Sequence, residues 1–402
     1  MSAVQVIETR PRRRFAWLRA AFSARLSPAR IEWPVLLIAL LLLGLGMVFV
    51  REMAEADLRY ERLGPSFEGH LKKVAITFPL VGVGLFLRPR WLRRNAGLLY
   101  ALALVLLFLV PVVGEERNYA RRWIPLPLGF DLQPSELCKL ALVLVLARVL
   151  YQNRLRRAAD WALPGLLALV PMAAVALQPD LGTALTVVPV TLGMFYLAGA
   201  SGRSLLAFLG LGFVLGLGAW QLELVQDYQV RRIDTWVASF DPGYLIENRS
   251  GAAFHTYHAR VSIGNGGWRG TGVGQGIANQ AGHLPERESD SIFAVIAEEG
   301  GLVGGGAVLF LYALLTALLL LSAARIRERY ARLTVGGVAL YFGAHFFIHV
   351  AVNLGLLPMT GLTLPLVSTG GSSLLTSFLA LGLALGLGAR WEPSLDEDAF
   401  RA

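Results

Sequence analysis

"LPERESDSIFAVIAEEGG", residues 284–301, sets five acids and one arginine against an otherwise apolar run. How Asp290, Glu298 and Glu299 are accommodated decides the fold. A soluble helix would turn such acids to water, whereas in a bilayer each must face a cavity or a partner. The rest of the chain selects the bilayer. Of its 402 residues 55% are hydrophobic and only 16% charged, and the mean hydropathy is +0.55. Apolar spans recur at 33–50, 72–88, 96–113, 136–152, 162–178, 181–200, 204–225, 291–322, 333–355 and 372–390, each near the length that crosses a hydrocarbon core. The expected fold is therefore all-α: a polytopic integral membrane protein with ten transmembrane helices and a large extracytoplasmic loop between helices 7 and 8.

Orientation follows from arginine placement, because positive loops stay on the cytoplasmic side. Arg10, Arg12, Arg13, Arg14, Arg19, Arg25 and Arg30 precede the first span, which puts the N-terminus inside. Alternate counting then puts three further basic loops inside: Arg88, Arg90, Arg93 and Arg94; Arg154, Arg156 and Arg157; and Arg325, Arg327, Arg329 and Arg332. The expected organisation is a basic cytoplasmic tail at 1–32, a membrane domain at 33–390 with its large outer loop at 226–290, and a cytoplasmic tail at 391–402. The first apolar run reads as a signal anchor, since no small-residue cleavage site follows it. The net charge of +9 comes mostly from boundary arginines, so no nucleic-acid partner is expected. Cys138 is the single cysteine, which excludes an intrachain disulfide.

Two outer loops are long and chemically mixed, and function is expected there. In "EERNYARRWIPLPLGFDLQPSELCKL" (115–140), Arg121 and Arg122 beside Trp123 suit either interfacial anchoring or bidentate capture of phosphate oxygens. Glu136 and Lys139, three apart at the start of an apolar helix, share a face. They form a structural ion pair, or Lys139 meets an anionic group in a water-filled cavity. In "QPDLGTAL" (178–185) Asp180 is placed to cap the sixth span. The seven glycines between Gly264 and Gly276 lack a flanking strand and helix, so they read as a loop folding back tightly on the membrane surface and not as a nucleotide site. His345 and His349 lie one turn apart without an evident third metal ligand and read as packing or cavity lining, while His255, His258 and His283 are scattered. "NLGLLPMTGLTLPLVSTGGSS" (353–373) reads as a re-entrant cavity wall with a serine capping the last helix. Asp290 is expected at the N-terminus of the eighth span, where it can cap the helix or act as a general base toward a substrate hydroxyl.

The set "RRWI", "LQPSELCKLAL", "QPDLGTAL", "GNGGWRGTGVGQG", "LPERESDSIFAVIAEEGGLVG" and "GLLPMTGLTLPLVSTGGSS" closely resembles the SEDS family of bacterial shape, elongation, division and sporulation proteins, the FtsW, RodA and SpoVE group. The similarity is collinear over about residues 33–390. It implies an inverting glycosyltransferase of the bacterial inner membrane that polymerises lipid II into β-1,4 glycan strands beside a class B penicillin-binding protein and the divisome or elongasome. By resemblance Asp290 maps onto the family's essential aspartate, Glu136 and Lys139 onto its polar pair, Arg122 onto its arginine before Trp-Ile, and Asp180 onto its Q-P-D. Arg121, Arg122 and Lys139 are the candidates for holding the departing pyrophosphate. Glu286, Ser368, Gly370, Gly371 and Ser372 complete the expected substrate contacts. No organic cofactor is implied, and the chemistry admits a divalent cation that no residue pattern specifies. Glu288, Ser289 and Ser291 replace the family's usual His, Thr and Phe, and His258 replaces its glutamine. "LPER" looks like RodA and "GLTLPLVS" like FtsW, with the division branch slightly favoured. A precursor flippase or a non-catalytic transpeptidase scaffold are the rival functions.

Overall fold

The computed structural model describes residues 26–61, 64, 66–117, 120–178, 180–222, 227–282 and 284–390. The arginines up to Arg25, Pro179, His283 and the tail at 391–402 lie outside the described residues, with the expectations attached to them.

The chain is mostly helical. Along it run α1 (Trp33–Arg59), α2 (Phe67–Thr77), α3 (Pro79–Phe86), α4 (Pro89–Val113), α5 (Pro134–Gln152), α6 (Ala162–Leu177), α7 (Leu181–Ala198) and α8 (Gly202–Gln221). Four short helices follow, α9 (Asp227–Ala238), α10 (Pro242–Glu247), α11 (Phe254–Gly266) and α12 (Ile277–Ala281), then α13 (Ile292–Arg325), α14 (Arg329–Asn353) and α15 (Gly371–Gly388). Proline opens α3, α4 and α5, where its missing N–H has no partner to lose. Among the described residues six helices, α1, α4, α6, α13, α14 and α15, are long and apolar enough to cross a membrane, with α6 counted from Ala158. Shorter apolar helices span Gly182–Ala198 and Gly202–Gly218.

Burial sorts the bundle into a centre and a ring. The most apolar windows of α14 and α15 are 72% and 83% buried, against 28% for α4, so the first two form the centre with α5, which is buried along most of its length. The ring turns Leu98, Val105 and Phe108 of α4 and Leu206, Phe213 and Val214 of α8 outward. A continuous apolar exterior of this kind is stable only in lipid.

Glycine decides where helices touch. A Cβ on Gly382 would stand 2.1 Å from the Val81 carbonyl and one on Gly386 2.3 Å from the Leu85 carbonyl, so α15 lies directly on the backbone of α3. Such small residues four apart drive close packing where the hydrophobic effect gives no preference between helix and lipid.

Three expectations are corrected. The single span at 72–88 is two helices broken at Phe78, since Pro79 supplies no N–H to continue the first. The loop after α4 is not irregular but a three-stranded antiparallel sheet in the order β1 (Glu115–Arg117), β2 (Ala120–Leu126), β3 (Phe130–Leu132), so the chain is not purely helical. The span at 291–322 is broken at Gly301, whose φ of 63° and ψ of −160° are non-helical.

The glycine-rich loop after α11 fills that break. Leu302 N and Val303 N donate to Gly267 O (2.8 Å) and Trp268 O (3.3 Å), while Thr271 N and Gly272 N donate to Glu298 O and Glu299 O, both at 3.0 Å. The loop therefore satisfies the carbonyls and amides that the broken helix cannot. Side chains are excluded: a Cβ on Gly270 would lie 2.1 Å from Glu299 O and one on Gly266 2.0 Å from Ala297 O. Glu298 and Glu299 are buried and held by Ala278 N (3.0 Å), Gly274 N (2.8 Å) and Asn279 Nδ2 (3.0 Å). They face partners and not water.

Gly382→Ala is expected to lower the thermal midpoint of the detergent-solubilised protein, at a cost of about 1–3 kcal/mol for forced overpacking. Gly44→Ala, where an added Cβ meets nothing within 4 Å, is expected to leave the midpoint unchanged or raise it. Equal midpoints for the two variants would refute close α3–α15 contact.

Candidate active site

Asp290 sits on a tight turn that precedes α13. The turn closes on one acceptor: Glu286 O receives Ser289 N (3.0 Å), Asp290 N (2.9 Å) and Ser291 N (3.2 Å). To do so Glu286 adopts φ 45°, a left-handed conformation that a residue with a Cβ holds only when its surroundings impose it. They do. Thr369 N donates to Glu288 O (3.1 Å), Ser368 Oγ to Ser289 O (2.7 Å) and Asn353 Nδ2 to Asp290 O (3.0 Å). Three consecutive carbonyls are thus held by the segment after α14 and by the end of α14 itself. His255, on α11, places Nε2 at 3.1 Å from both Pro285 O and Ser291 Oγ. Burial lowers its pKa to about 4, so at neutral pH the ring is uncharged.

The expected helix cap is corrected. Ser291 occupies the N-cap of α13 without a side-chain bond to the helix amides, and the Asp290 carboxylate points instead into a cavity of about 780 Å³. Gly361 backs it: a Cβ there would stand 3.3 Å from Asp290 Oδ2, and its φ is 67°. Burial, then the neighbouring Glu286, push the Asp290 carboxyl up to about 7, with the Ser289 hydrogen bond opposing and Glu288 and Asp180 adding to the rise. A carboxylate poised there can take a proton from a hydroxyl near neutral pH. Burial likewise raises the pKa of Glu288.

Around Asp290 the cavity is lined by Lys73 of α2, Arg122 of β2 and Arg231 and Arg232 of α9, with Glu286, Glu288 and Asp131 completing its charge. Arg122 Nε is anchored on Gln178 O at 3.0 Å. Arg232 donates to Met359 O (2.9 Å) and lies 4.8 Å from the Tyr228 ring centroid. Four cations in a partly closed space with the Asp290 carboxylate suit a substrate that carries phosphate and presents a hydroxyl.

Of the expected contacts, Arg122, Glu286, Gly370, Gly371 and Ser372 line this cavity with Asp290. Ser372 does not cap α15, whose N-cap is Gly370. Its hydroxyl accepts from Gln133 N (2.7 Å) and donates to Asp131 O (2.6 Å), joining α15 to β3. The others are placed elsewhere. Arg121 is exposed and pairs with Glu116 at 3.4 Å, because alternation along β2 sends successive side chains to opposite faces. Lys139 does not reach the cavity: buried, it lies 2.7 Å from Glu136 Oε1 and 2.8 Å from His345 Nε2. Tyr341 OH donates to Glu136 Oε2 at 3.4 Å. A buried charge without a nearby partner is too costly to keep, and the pairing answers that need. Asp180 caps α7 through Thr183 N (3.2 Å) and accepts from Gln133 Nε2 (3.1 Å), one residue removed from the cavity. Ser368 is buried behind the turn. His349 Nδ1 lies 2.7 Å from Leu362 O, a packing role like that of His345.

Lys73, Arg231, Arg232 and Tyr228 were not singled out from the sequence, although "YQVRRIDTW" is visible in it. The available signal is positional. Lys and Arg are scarcer in extracytoplasmic loops than in cytoplasmic ones, so arginines in a loop expected on the outer side are the anomalous ones.

A carboxyl whose pKa is raised on folding binds its proton more tightly when folded, so stability falls as pH rises from about 4 to about 7 and the loss persists above. Asp290→Asn has no such charge to bury. Its thermal midpoint is expected to match the wild type near pH 4 and to exceed it increasingly up to about pH 7, then by a constant margin. A margin independent of pH would show that Asp290 titrates normally.

The family model described as "Cell cycle protein" and labelled FtsW, RodA and SpoVE matches residues 32–390. The protein called probable peptidoglycan glycosyltransferase FtsW in Nitrosomonas europaea is 32% identical over 395 residues, covering 93% of this chain and 97% of its own. Its namesake in Halorhodospira halophila is 36% identical over 376 residues, covering 89% and 90%. Among solved structures, a chain from work on the structural coordination of polymerization and crosslinking by a peptidoglycan synthase complex superposes with a TM-score of 0.74 at 31% identity, covering 89% of this chain and 97% of that one. The rod shape determining protein RodA of Thermus thermophilus gives 0.64 at 30% identity, covering 89% and 96%. Since both the sequence motifs and the bundle that folds them around Asp290 extend over nine-tenths of the chain, the protein belongs to the FtsW, RodA and SpoVE family of cell cycle proteins.

Proposed function

We infer that the chain is a peptidoglycan glycosyltransferase that polymerises lipid II, with Asp290 as the general base. The observation that carries this reading is the placement of one acid, with its pKa near 7, in the same cavity as four cations. The acceptor hydroxyl gives its proton to the Asp290 carboxylate while its oxygen attacks C1 of the donor sugar. The C1–O bond to undecaprenyl pyrophosphate breaks, and the leaving group departs as an anion that needs no strong acid. Lys73, Arg122, Arg231 and Arg232 neutralise that anion. Inversion at C1 turns the α linkage into β-1,4.

Lys139 and Glu136 support this site from within the bundle and do not touch substrate in this mechanism. Arg121 is likewise removed from pyrophosphate binding. Ten membrane crossings are proposed, with the split α2–α3 pair as the second. The arginine-rich turns cluster at the end opposite the cavity, where Arg329 donates to Leu150 O, Asn153 O and Ala198 O. The positive-inside tendency then puts that end in the cytoplasm and the cavity outside. The relatives named FtsW favour the division branch, and a class B penicillin-binding protein is the proposed partner.

A gel of lipid II products from purified protein, with and without a partner whose transpeptidase site is inactivated, tests the reading. Wild type is expected to give glycan ladders and Asp290→Asn none, a loss of about 10²–10⁴-fold. The polymerisation rate is expected to fall as pH drops through about 7, because protonation removes the base. Arg231→Ala and Arg232→Ala are expected to weaken lipid II turnover at least about tenfold each. An active Asp290→Asn variant would overturn the general-base assignment, and absent ladders under both conditions would favour a flippase or scaffold.

A further inference from the structure

Arg287 stands three residues before Asp290 yet turns its head away from the cavity. The residue is 6% exposed. Nη1 donates to Asn279 O at 2.7 Å, and Nη2 pairs with the Asp57 carboxylate on α1. Asp57 is 5% exposed. The contact continues inward, because Asn279 Nδ2 donates to Glu299 Oε1 at 3.0 Å and Glu299 accepts Gly274 N at 2.8 Å. One buried chain of hydrogen bonds thus runs from α1 through the Asp290 turn to the break in α13.

Burying two opposite charges gives no reliable stability advantage over an apolar pair of the same shape. What it supplies is direction: a planar guanidinium held by a carboxylate and a carbonyl fixes the backbone that carries it. The neighbouring residue needs such restraint. Glu286 holds φ 45°, and its carbonyl gathers the three amides that close the turn. If residue 287 were released, Glu286 would relax toward ordinary backbone and the turn would open.

We propose that Arg287, clamped by Asp57, is a positioning residue that aims the Asp290 carboxylate into the cavity without touching substrate. The proposal rests on Asp290 as the base. Misplacement of a reacting group by about 1 Å costs on the order of 10²-fold in rate, and that loss falls on turnover and not on binding.

Arg287→Ala alone strands the Asp57 charge and is liable to fail in folding, so the deciding variant neutralises both partners, Asp57→Asn with Arg287→Gln. Amide hydrogen exchange and lipid II polymerisation are measured on the full-length protein in detergent. The amides of Ser289, Asp290 and Ser291 are expected to exchange at least about tenfold faster, with α14 unchanged. The turnover number is expected to fall about 10–100-fold at constant KM, and Arg287→Lys to recover part of it. Unchanged exchange at the turn, unchanged turnover, a rise in KM alone, or faster exchange throughout the bundle each overturns the proposal. Should wild type itself make no glycan, that failure belongs to the polymerase reading, and the exchange data still decide whether the clamp holds the turn.

Discussion

Hydrocarbon offers no hydrogen bonds, so every polar group carried into the bundle must be satisfied by the protein itself. This constraint organises the structure around the break in α13. Gly301 interrupts the helix, and the loop from Gly266 to Gly276 fills the gap with amides and carbonyls of its own. The same loop supplies Gly274 N to the carboxylate of Glu299. Without the insertion, α13 would carry orphaned backbone and Glu299 would lose the Gly274 amide.

The cavity depends on that arrangement at one remove. With α13 fixed, the turn at 284–291 is suspended between its N-terminus and the segment from Leu354 to Gly370, whose irregular backbone is tolerable because Leu362, Leu364, Leu366 and Val367 are buried in protein. Gly46 of α1 packs directly against Val367 O. The Asp290 carboxylate then lies between the Gly361 backing and a cavity whose wall carries four cations. Its raised pKa is a consequence of this enclosure and of the neighbouring Glu286.

Two classes of charge separate physically. Glu136, Lys139, Glu298, Glu299, Asp57 and Arg287 are buried and paired with protein. Lys73, Arg122, Arg231, Arg232, Asp131, Glu286, Glu288 and Asp290 line the cavity. Charges buried in pairs hold elements in register, whereas those on the cavity wall border the space that a ligand would enter. Motif membership does not distinguish them, since Lys139 and Asp290 both lie in stretches that carry the family resemblance.

The sequence by itself determined the membrane class, the position of nearly every long helix and the place of Asp290 just ahead of α13, because apolar length and the placement of charge are local properties written residue by residue. It also made the cap at Asp180 legible, since an N-cap contact spans three residues. Only the tertiary structure decided which charges share the cavity. Arg121 and Arg122 are adjacent in the chain and point to opposite faces of a strand that composition does not reveal, while Lys73 and Arg231 are far apart in sequence and meet across the same space. The break at Gly301 and its filling by a distant loop were hidden for the same reason. Hydrogen bonding between segments as distant in sequence as Gly267 and Leu302 depends on how helices pack, and helix packing is set by contacts that no single stretch of sequence contains.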